Sequence, residues 1–296
     1  MTIFGSSSVW LATALFTVIG SLVPLGLVLW GAHRANSDAE VADWASAHAL
    51  RLTPRNRPMV GYYLLLGRLL RGIGGVAGLV LGSLAEGAFG VGVASGFLFW
   101  AWAMGGYLFG ALWAEVFVIR PAGPTPVAAI APRRLRNYLP GRLRWSLRVA
   151  GGVSLLFGVI AWRVEVSPGA LGGLVALTAT GSLAVGVVGA VVALTVECLQ
   201  RFVVGRSQRF VSRDLLEADD AMRAASVHTL AGAGLGMVIL TIAAALGRLL
   251  EVHRHVPYGL RVTPVVLILV ALFAWRYYSH RAWRVNRLPI APPVVS

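Results

Sequence analysis

Residues 169–196 read GALGGLVALTATGSLAVGVVGAVVALTV, 28 consecutive positions without a charged side chain. A helix that crosses a ~30 Å hydrocarbon core needs about 20 mostly apolar residues. Lipid offers the backbone no hydrogen-bond partner, so a run of this length must satisfy its own N–H and C=O groups as an α-helix. This stretch therefore predicts a transmembrane helix.

Further apolar runs lie on both sides of this stretch. The predicted spans are seven, at about residues 9–30, 70–90, 91–119, 149–162, 169–196, 227–247 and 262–278. The 296 residues are 57% hydrophobic and 13% charged, with a mean hydropathy of +0.74. Soluble domains carry about twice that charged share, which they need to cover a water-facing surface. We therefore predict an all-α polytopic membrane bundle that forms a single transmembrane domain over residues 1–296.

The basic residues indicate the orientation of the bundle. All 26 are Arg, and with 12 acidic residues they give a net charge of +14. The segments 31–69, 120–148 and 197–226, together with the tail from Arg276, hold 21 of the 26. Cytoplasmic loops are enriched in basic residues, so we expect the N-terminus outside and the C-terminus inside. The expected partner of this charge is the anionic inner leaflet of the lipid bilayer. No compact basic domain exists outside the apolar runs, which argues against nucleic acid.

The cytoplasmic loops contain signals for short amphipathic helices. Ser37 and Glu40 form a capping-box pattern before a helix that should run from Asp38 to about Leu50. Thr53-Pro54 predicts the start of a second helix that continues into the second span. Ser212 is placed to cap a third helix, which should continue into the sixth span. The five prolines between residues 120 and 148 predict an extended segment there.

The helix after Ser212 is the predicted docking element for a soluble partner. Its charged residues are Arg213, Asp214, Glu217, Asp219, Asp220 and Arg223. Asp219 and Arg223 are four positions apart, so they should also brace the helix as an ion pair. A Mg²⁺ site would need further acidic residues one turn away, and these are missing. We therefore predict neither a metal nor a cofactor.

Glycines recur at four-residue spacing within the spans. Such small residues let transmembrane helices approach closely, so we predict that they pack helices within one chain; the alternative is a homo-oligomer interface. The predicted helix-packing glycines are Gly74, Gly78, Gly82, Gly92, Gly96, Gly106, Gly110, Gly232 and Gly236.

His228 lies near the beginning of the sixth span. A histidine there usually forms a hydrogen bond between helices. The alternative is an intramembrane hydrolase in which Ser95 of the third span is the nucleophile and His228 the base. The chain has no P-loop, so ATP hydrolysis by the chain itself is not expected.

Two segments carry a resemblance to a known group of proteins. They are residues 51–62, RLTPRNRPMVGY, and residues 218–234, ADDAMRAASVHTLAGAG. Both resemble segments of uncharacterised multi-pass membrane proteins of actinobacteria, which are often encoded beside GntR-type regulators and ABC ATPases. The resemblance implies a bacterial plasma membrane location and a separate ABC ATPase as a partner. It implies no site residues.

These observations leave three functional hypotheses. The first is a permease-like or accessory subunit of an ABC-type transport system. The second is a membrane sensor or scaffold that transports nothing. The third is the intramembrane hydrolase with Ser95 and His228.

Overall fold

The computed structural model describes Gly26 and residues 37–89, 96–117, 134–165, 174–206, 212–252 and 257–280. Within them the chain forms α-helices and one short 3-10 helix at Leu135–Asn137, and no strand. The α-helices are α1 Asp38–Ala47, α2 Arg57–Phe89, α3 Gly96–Phe117, α4 Gly141–Glu165, α5 Leu174–Gly205, α6 Arg213–Val252, α7 Tyr258–Arg261 and α8 Thr263–His280. Apart from Gly26, the predicted first span lies outside the described residues.

The long helices pack around α6, which runs antiparallel to α3, α5 and α8 and parallel to α4. Helix α2 lies against α3 and α4 against α5, while α6 contacts α3, α4, α5 and α8. Helices α2, α4 and α6 begin, and α3, α5 and α8 end, at the same end of the bundle. We call it the arginine-rich end, because it carries Arg57, Arg148, Arg201, Arg213 and Arg276.

Four of these helices contain stretches long and apolar enough to cross a membrane: Arg57–Gly82, Gly141–Val164, Gly181–Gly205 and Arg213–Gly247. Thr263–Ser279 is a shorter apolar helix. The outer faces carry large apolar side chains that are more than half exposed, among them Leu156, Val191, Leu194, Leu269 and Phe273. Continuous apolar surface of this kind is suited to lipid rather than water. The fold is thus a helical bundle with the character of a multi-pass membrane protein.

Helix α6 occupies the centre of the described bundle. In its apolar window 67% of the residues are buried, against 28% or less in the other three candidate spans. Its buried face is built from Ala, Val and Leu, such as Leu230, Val238 and Ala243. Small and β-branched side chains allow α3, α4, α5 and α8 to approach it from several sides.

Glycines lie at the closest helix crossings. A Cβ built on Gly74 would come under 3.0 Å from the carbonyl oxygen of Gly106, and one on Gly78 would come as close to the carbonyl oxygen of Trp102. Helices α2 and α3 therefore touch backbone to backbone. Gly158 and Gly186 make an equally close crossing between α4 and α5, with a built Cβ 2.7 Å from the opposite Cα.

The other predicted packing glycines divide into three groups. Gly110 meets the backbone at Leu70, and Gly82 lies against the Trp102 ring. Gly232 and Gly236 face α8. Gly96 begins α3, but its surroundings are not described, and Gly92 lies outside the described residues.

Two helices extend beyond the expected spans. Helix α4 begins at Gly141, whereas the span was expected from residue 149 and the preceding segment was expected to be extended. Helix α5 continues to Gly205, past the expected end at residue 196. Arg148 in the first extension and Glu197 in the second pair across the α4–α5 contact, so neither charge ends its helix. Cys198 is exposed on α5, whereas a buried and inert thiol is the ordinary expectation for a cysteine at the edge of an apolar run.

Candidate functional site

The predicted docking residues at the start of α6 are only partly available at the surface. Arg213 is exposed, with 74% of its side chain accessible, and its Nε lies 3.2 Å from Glu217 Oε1. Asp214 accepts a hydrogen bond of 2.9 Å from the hydroxyl of Thr53. Asp220 accepts one of 3.1 Å from the hydroxyl of Tyr138. Arg213 is thus the exposed member, and the two aspartates connect α6 to neighbouring segments.

Arg223 is the most deeply buried cation among the described residues, at 1% exposure. Its Nε donates to Asp219 Oδ2 over 2.8 Å, which confirms the predicted i,i+4 pair. Its Nη1 donates to the carbonyls of Val203, Val204 and Arg206 over 3.1, 3.2 and 2.6 Å. The last carbonyls of a helix lack partners within the helix, and this guanidinium supplies them for α5. In this structure Asp219 and Arg223 therefore fasten α6 to α5, and both side chains are buried.

A second ionic cluster joins α4 and α5. Glu197 accepts a 2.9 Å hydrogen bond from Arg148 Nε, and its other carboxylate oxygen is bonded to a second nitrogen of Arg148. Arg201, one turn further along α5, lies 2.6 Å from the same carboxylate. The bidentate arrangement fixes the relative register of the two helices.

Helix α1 is attached to the bundle through an apolar contact. Val41 and Ala45 pack with Tyr63 of α2 and Met222 of α6 in one buried cluster. The Tyr63 hydroxyl lies 2.9 Å from the Ser226 hydroxyl, so α2 is bonded to α6 at this point. The predicted cap of α1 is present, since the side chain of Ser37 accepts a hydrogen bond from the N–H of Glu40.

His228 has a structural hydrogen bond. Its Nε2 donates to the carbonyl of Tyr138 over 2.9 Å, which ties α6 to the segment before α4. Ser95 lies outside the described residues. The predicted pair of Ser95 and His228 is therefore not among the contacts that the structure describes.

A cavity of about 330 Å³ opens at the arginine-rich end. We call it the chamber. Helices α1, α2, α3, α6 and α8 all contribute to its wall. Its lining residues are Trp44, His48, Tyr63, Leu64, Gly67, Arg68, Arg71, Gly72, Tyr107, Ala225, His228, Thr229 and Ser279.

The two arginines that line the chamber lie in different environments. Arg68 forms an ion pair with Glu40 of α1. Arg71 folds back along α2 over Gly67, with its Nη2 3.2 Å from the position of a Cβ built on that glycine. The missing side chain at Gly67 thus makes room for the guanidinium inside the chamber wall.

Two further polar side chains of the chamber are His48 and Ser279. His48 stacks on Trp44 at 4.1 Å and bonds its carbonyl through Nδ1 over 2.8 Å. Burial lowers the pKa of His48 below its usual value, so the ring is neutral at pH 7. The Ser279 hydroxyl lies over Gly232 and is buried without a hydrogen-bond partner among the described residues.

The chamber was not predicted from the sequence. Tyr62, Tyr63, Arg68 and Arg71 are visible there as polar residues near the start of a span, but nothing in the sequence places them beside α6 and α8. The described residues contain no group of three His, Cys, Asp or Glu side chains that would hold a metal ion. His253 and His255 lie outside the described residues.

No protein-family model matches the chain, and the comparisons with curated proteins and with solved structures gave no match.

Proposed function

We propose that this chain is an accessory membrane subunit that connects a soluble partner, the ATPase of an ABC-type transport system, to a helical bundle in the bacterial plasma membrane. The proposal includes seven spans, with the N-terminus outside and the C-terminus inside. The arginine-rich end then lies in the cytoplasm, where the partner is available.

The observation that supports this proposal is the continuity of α6. One helix of 40 residues runs from the exposed Arg213 through the centre of the bundle to Val252. A partner that binds the first turns of α6 would therefore contact the same element that packs against α3, α4, α5 and α8. No flexible joint separates the proposed docking surface from the membrane core.

The first turns of α6 are also held firmly enough to serve as a docking surface. Asp214 is bonded to Thr53, and Asp220 to Tyr138. The buried pair of Asp219 and Arg223 fixes the next turn to the end of α5. A rigid surface loses little conformational entropy when it is bound, which favours association.

Co-purification tests the proposed partner. The full chain would be isolated in detergent with the ATPase encoded beside it, as the wild type and as the double variant Arg213→Ala/Glu217→Ala. We expect the ATPase to accompany the wild type and to be reduced about fivefold or more with the variant, because the exposed charges of the docking turn are lost. Arg142→Ala is the matched control, since Arg142 is also exposed at the arginine-rich end but lies on α4.

The results separate the possibilities clearly. Retention by Arg142→Ala and loss by the double variant supports docking on α6. Absence of the ATPase from the wild-type preparation, or equal loss in both variants, contradicts the proposal.

A second candidate is a membrane sensor or scaffold, and the interior packing of the bundle favours it. Between the arginine-rich end and the opposite end, α6 buries Leu230, Val238 and Leu240 against its neighbours. The polar contact at this depth is a hydrogen bond of 2.8 Å between Ser154 and Thr241. Both side chains are satisfied within the protein. A bundle filled in this way is suited to holding other components in place.

A further inference from the structure

We propose that the chamber is a binding site for a phosphate group, carried either by an acidic phospholipid or by a soluble phosphate ester. This proposal does not depend on the ATPase partner, because the chamber and the docking turn use different residues.

Charge is the first argument. Arg68 and Arg71 both line the chamber, and among the described residues its lining includes no Asp or Glu. Glu40 pairs with Arg68 from the adjoining helix α1. Guanidinium groups bind phosphate oxygens through parallel N–H donors. Two guanidinium groups on one helix face therefore favour a phosphate over an uncharged apolar ligand.

Hydrogen-bond donors on the opposite wall supply the second argument. The Ser279 hydroxyl is buried without a partner among the described residues, which is unfavourable unless a ligand or water completes it. Thr229 of α6 lines the same space. A phosphate oxygen in the chamber would accept from the Ser279 hydroxyl once that side chain turns away from Gly232 toward the chamber, while its other oxygens face the arginines of α2.

Size and depth give the third argument. The volume of about 330 Å³ is at the lower end of small-molecule sites, which begin near ~300 Å³, and it accommodates a phosphate with a glycerol-sized substituent. Exposed Trp113 and Tyr277 lie at nearly the same depth, since Gly110 meets Arg71 and Tyr277 is two residues from Ser279. Tryptophan and tyrosine gather at the level of lipid headgroups. A headgroup phosphate is therefore within reach from the lipid, and a soluble ester from the cytoplasm.

Binding would be measured with the purified full chain in an uncharged detergent. The two probes are short-chain phosphatidylglycerol and glycerol 3-phosphate, titrated separately and followed by native mass spectrometry and by the thermal unfolding midpoint. We expect at least one probe to bind saturably with a single site. Binding of the lipid alone identifies the headgroup as the source, whereas binding of glycerol 3-phosphate identifies a soluble ester.

Variants assign the binding to the chamber. Arg71→Gln should weaken binding about tenfold or more, because it removes a charge-assisted contact to the phosphate. Ser279→Ala should weaken it severalfold while leaving the unfolding midpoint of the unliganded protein unchanged or raised, because the hydroxyl bonds none of the residues that the structure describes. This second variant keeps the test decisive if Arg71→Gln does not fold.

Arg142→Gln is the matched control, since it removes the same charge from the same end outside the chamber. We expect a change of less than twofold. Failure of both probes to bind the wild type overturns the proposal. So does an equal loss in Arg142→Gln and Arg71→Gln, which would show attraction to net charge alone, or undiminished binding by Ser279→Ala and Arg71→Gln.

Discussion

At the scale of single residues, Arg223 has the largest structural task. It neutralises Asp219 and at the same time satisfies the carbonyls of Val203, Val204 and Arg206. A buried charge pair contributes little net stability when it is intact, but the loss of one partner leaves the other charge buried and unpaired. The main consequence of this arrangement is therefore sensitivity to substitution.

Arg223→Met tests that sensitivity. The methionine fills similar space, but it removes the closer of the two cations that pair with Asp219, whose other partner Arg206 lies 3.6 Å away, and it leaves three helix-end carbonyls without their donor. We expect the free energy of unfolding in detergent to fall by about 3–5 kcal/mol. Arg213→Met, which breaks an exposed pair with Glu217, should cost about 1 kcal/mol or less. Similar losses in the two variants would contradict the assigned role of Arg223.

Of the two kinds of contact that Arg223 makes, the sequence could predict one. The spacing of Asp219 and Arg223 indicates an ion pair, and the structure confirms it. The carbonyls that Arg223 binds belong to the backbone at the end of another helix. Backbone acceptors have no sequence signature, so the capping of α5 could not be foreseen.

At the scale of helices, the close crossing of α2 and α3 depends on positions where no side chain fits. A Cβ on Gly106 would come under 3.0 Å from the Gly74 carbonyl carbon and from the Gly78 Cα. Backbone atoms cannot move aside as a flexible side chain can, so both helices would have to separate.

Gly106→Ala should therefore destabilise the protein. We expect a loss of about 1–3 kcal/mol in the free energy of unfolding, as for other overpacked sites. Gly152→Ala on α4 is the matched control, because a Cβ there meets nothing within 4 Å. Alanine is the better helix former, so this control should be neutral or stabilising by up to about 1 kcal/mol. Destabilisation of equal size in both variants would show that the crossing is not the cause.

The helices themselves follow well from the sequence. Ser37 and Ser212 mark the starts of α1 and α6, and the apolar runs locate the helix interiors. The boundaries of α4 and α5 do not follow from the sequence. Arg148 and Glu197, taken one at a time, each indicate a loop, and only the structure shows that they pair. A charge that is neutralised on a neighbouring helix does not end its own helix.

At the scale of the whole molecule, the orientation of the bundle is open to a direct experiment. Cys198 is the only cysteine, so Cys198→Ser gives a background free of thiols. Arg142→Cys and Arg163→Cys would then place single thiols at opposite ends of α4. We expect an impermeant maleimide to label the second on intact cells and the first only after permeabilisation, as the positive-inside rule requires. The reverse pattern would invert the proposed orientation.

The chamber belongs to this scale as well, which explains why the sequence does not reveal it. Its wall combines residues from Trp44 to Ser279, and no motif links them along the chain. Only the packing of five helices at one end brings the arginines of α2 near Ser279. Local patterns predict the elements, whereas sites assembled from distant elements require the fold.

The length of α6 has a mechanical consequence. At 1.5 Å per residue its 40 residues extend about 60 Å, roughly twice the thickness of the hydrocarbon layer. Over much of that distance, α6 is held by the close packing of its glycines and its Ala-rich face rather than by hydrogen bonds or ion pairs. A tilt of about 5° around its midpoint would shift each tip by about 3 Å in opposite directions. A displacement of α6 at one surface of the membrane would in this way move its other end at the opposite surface.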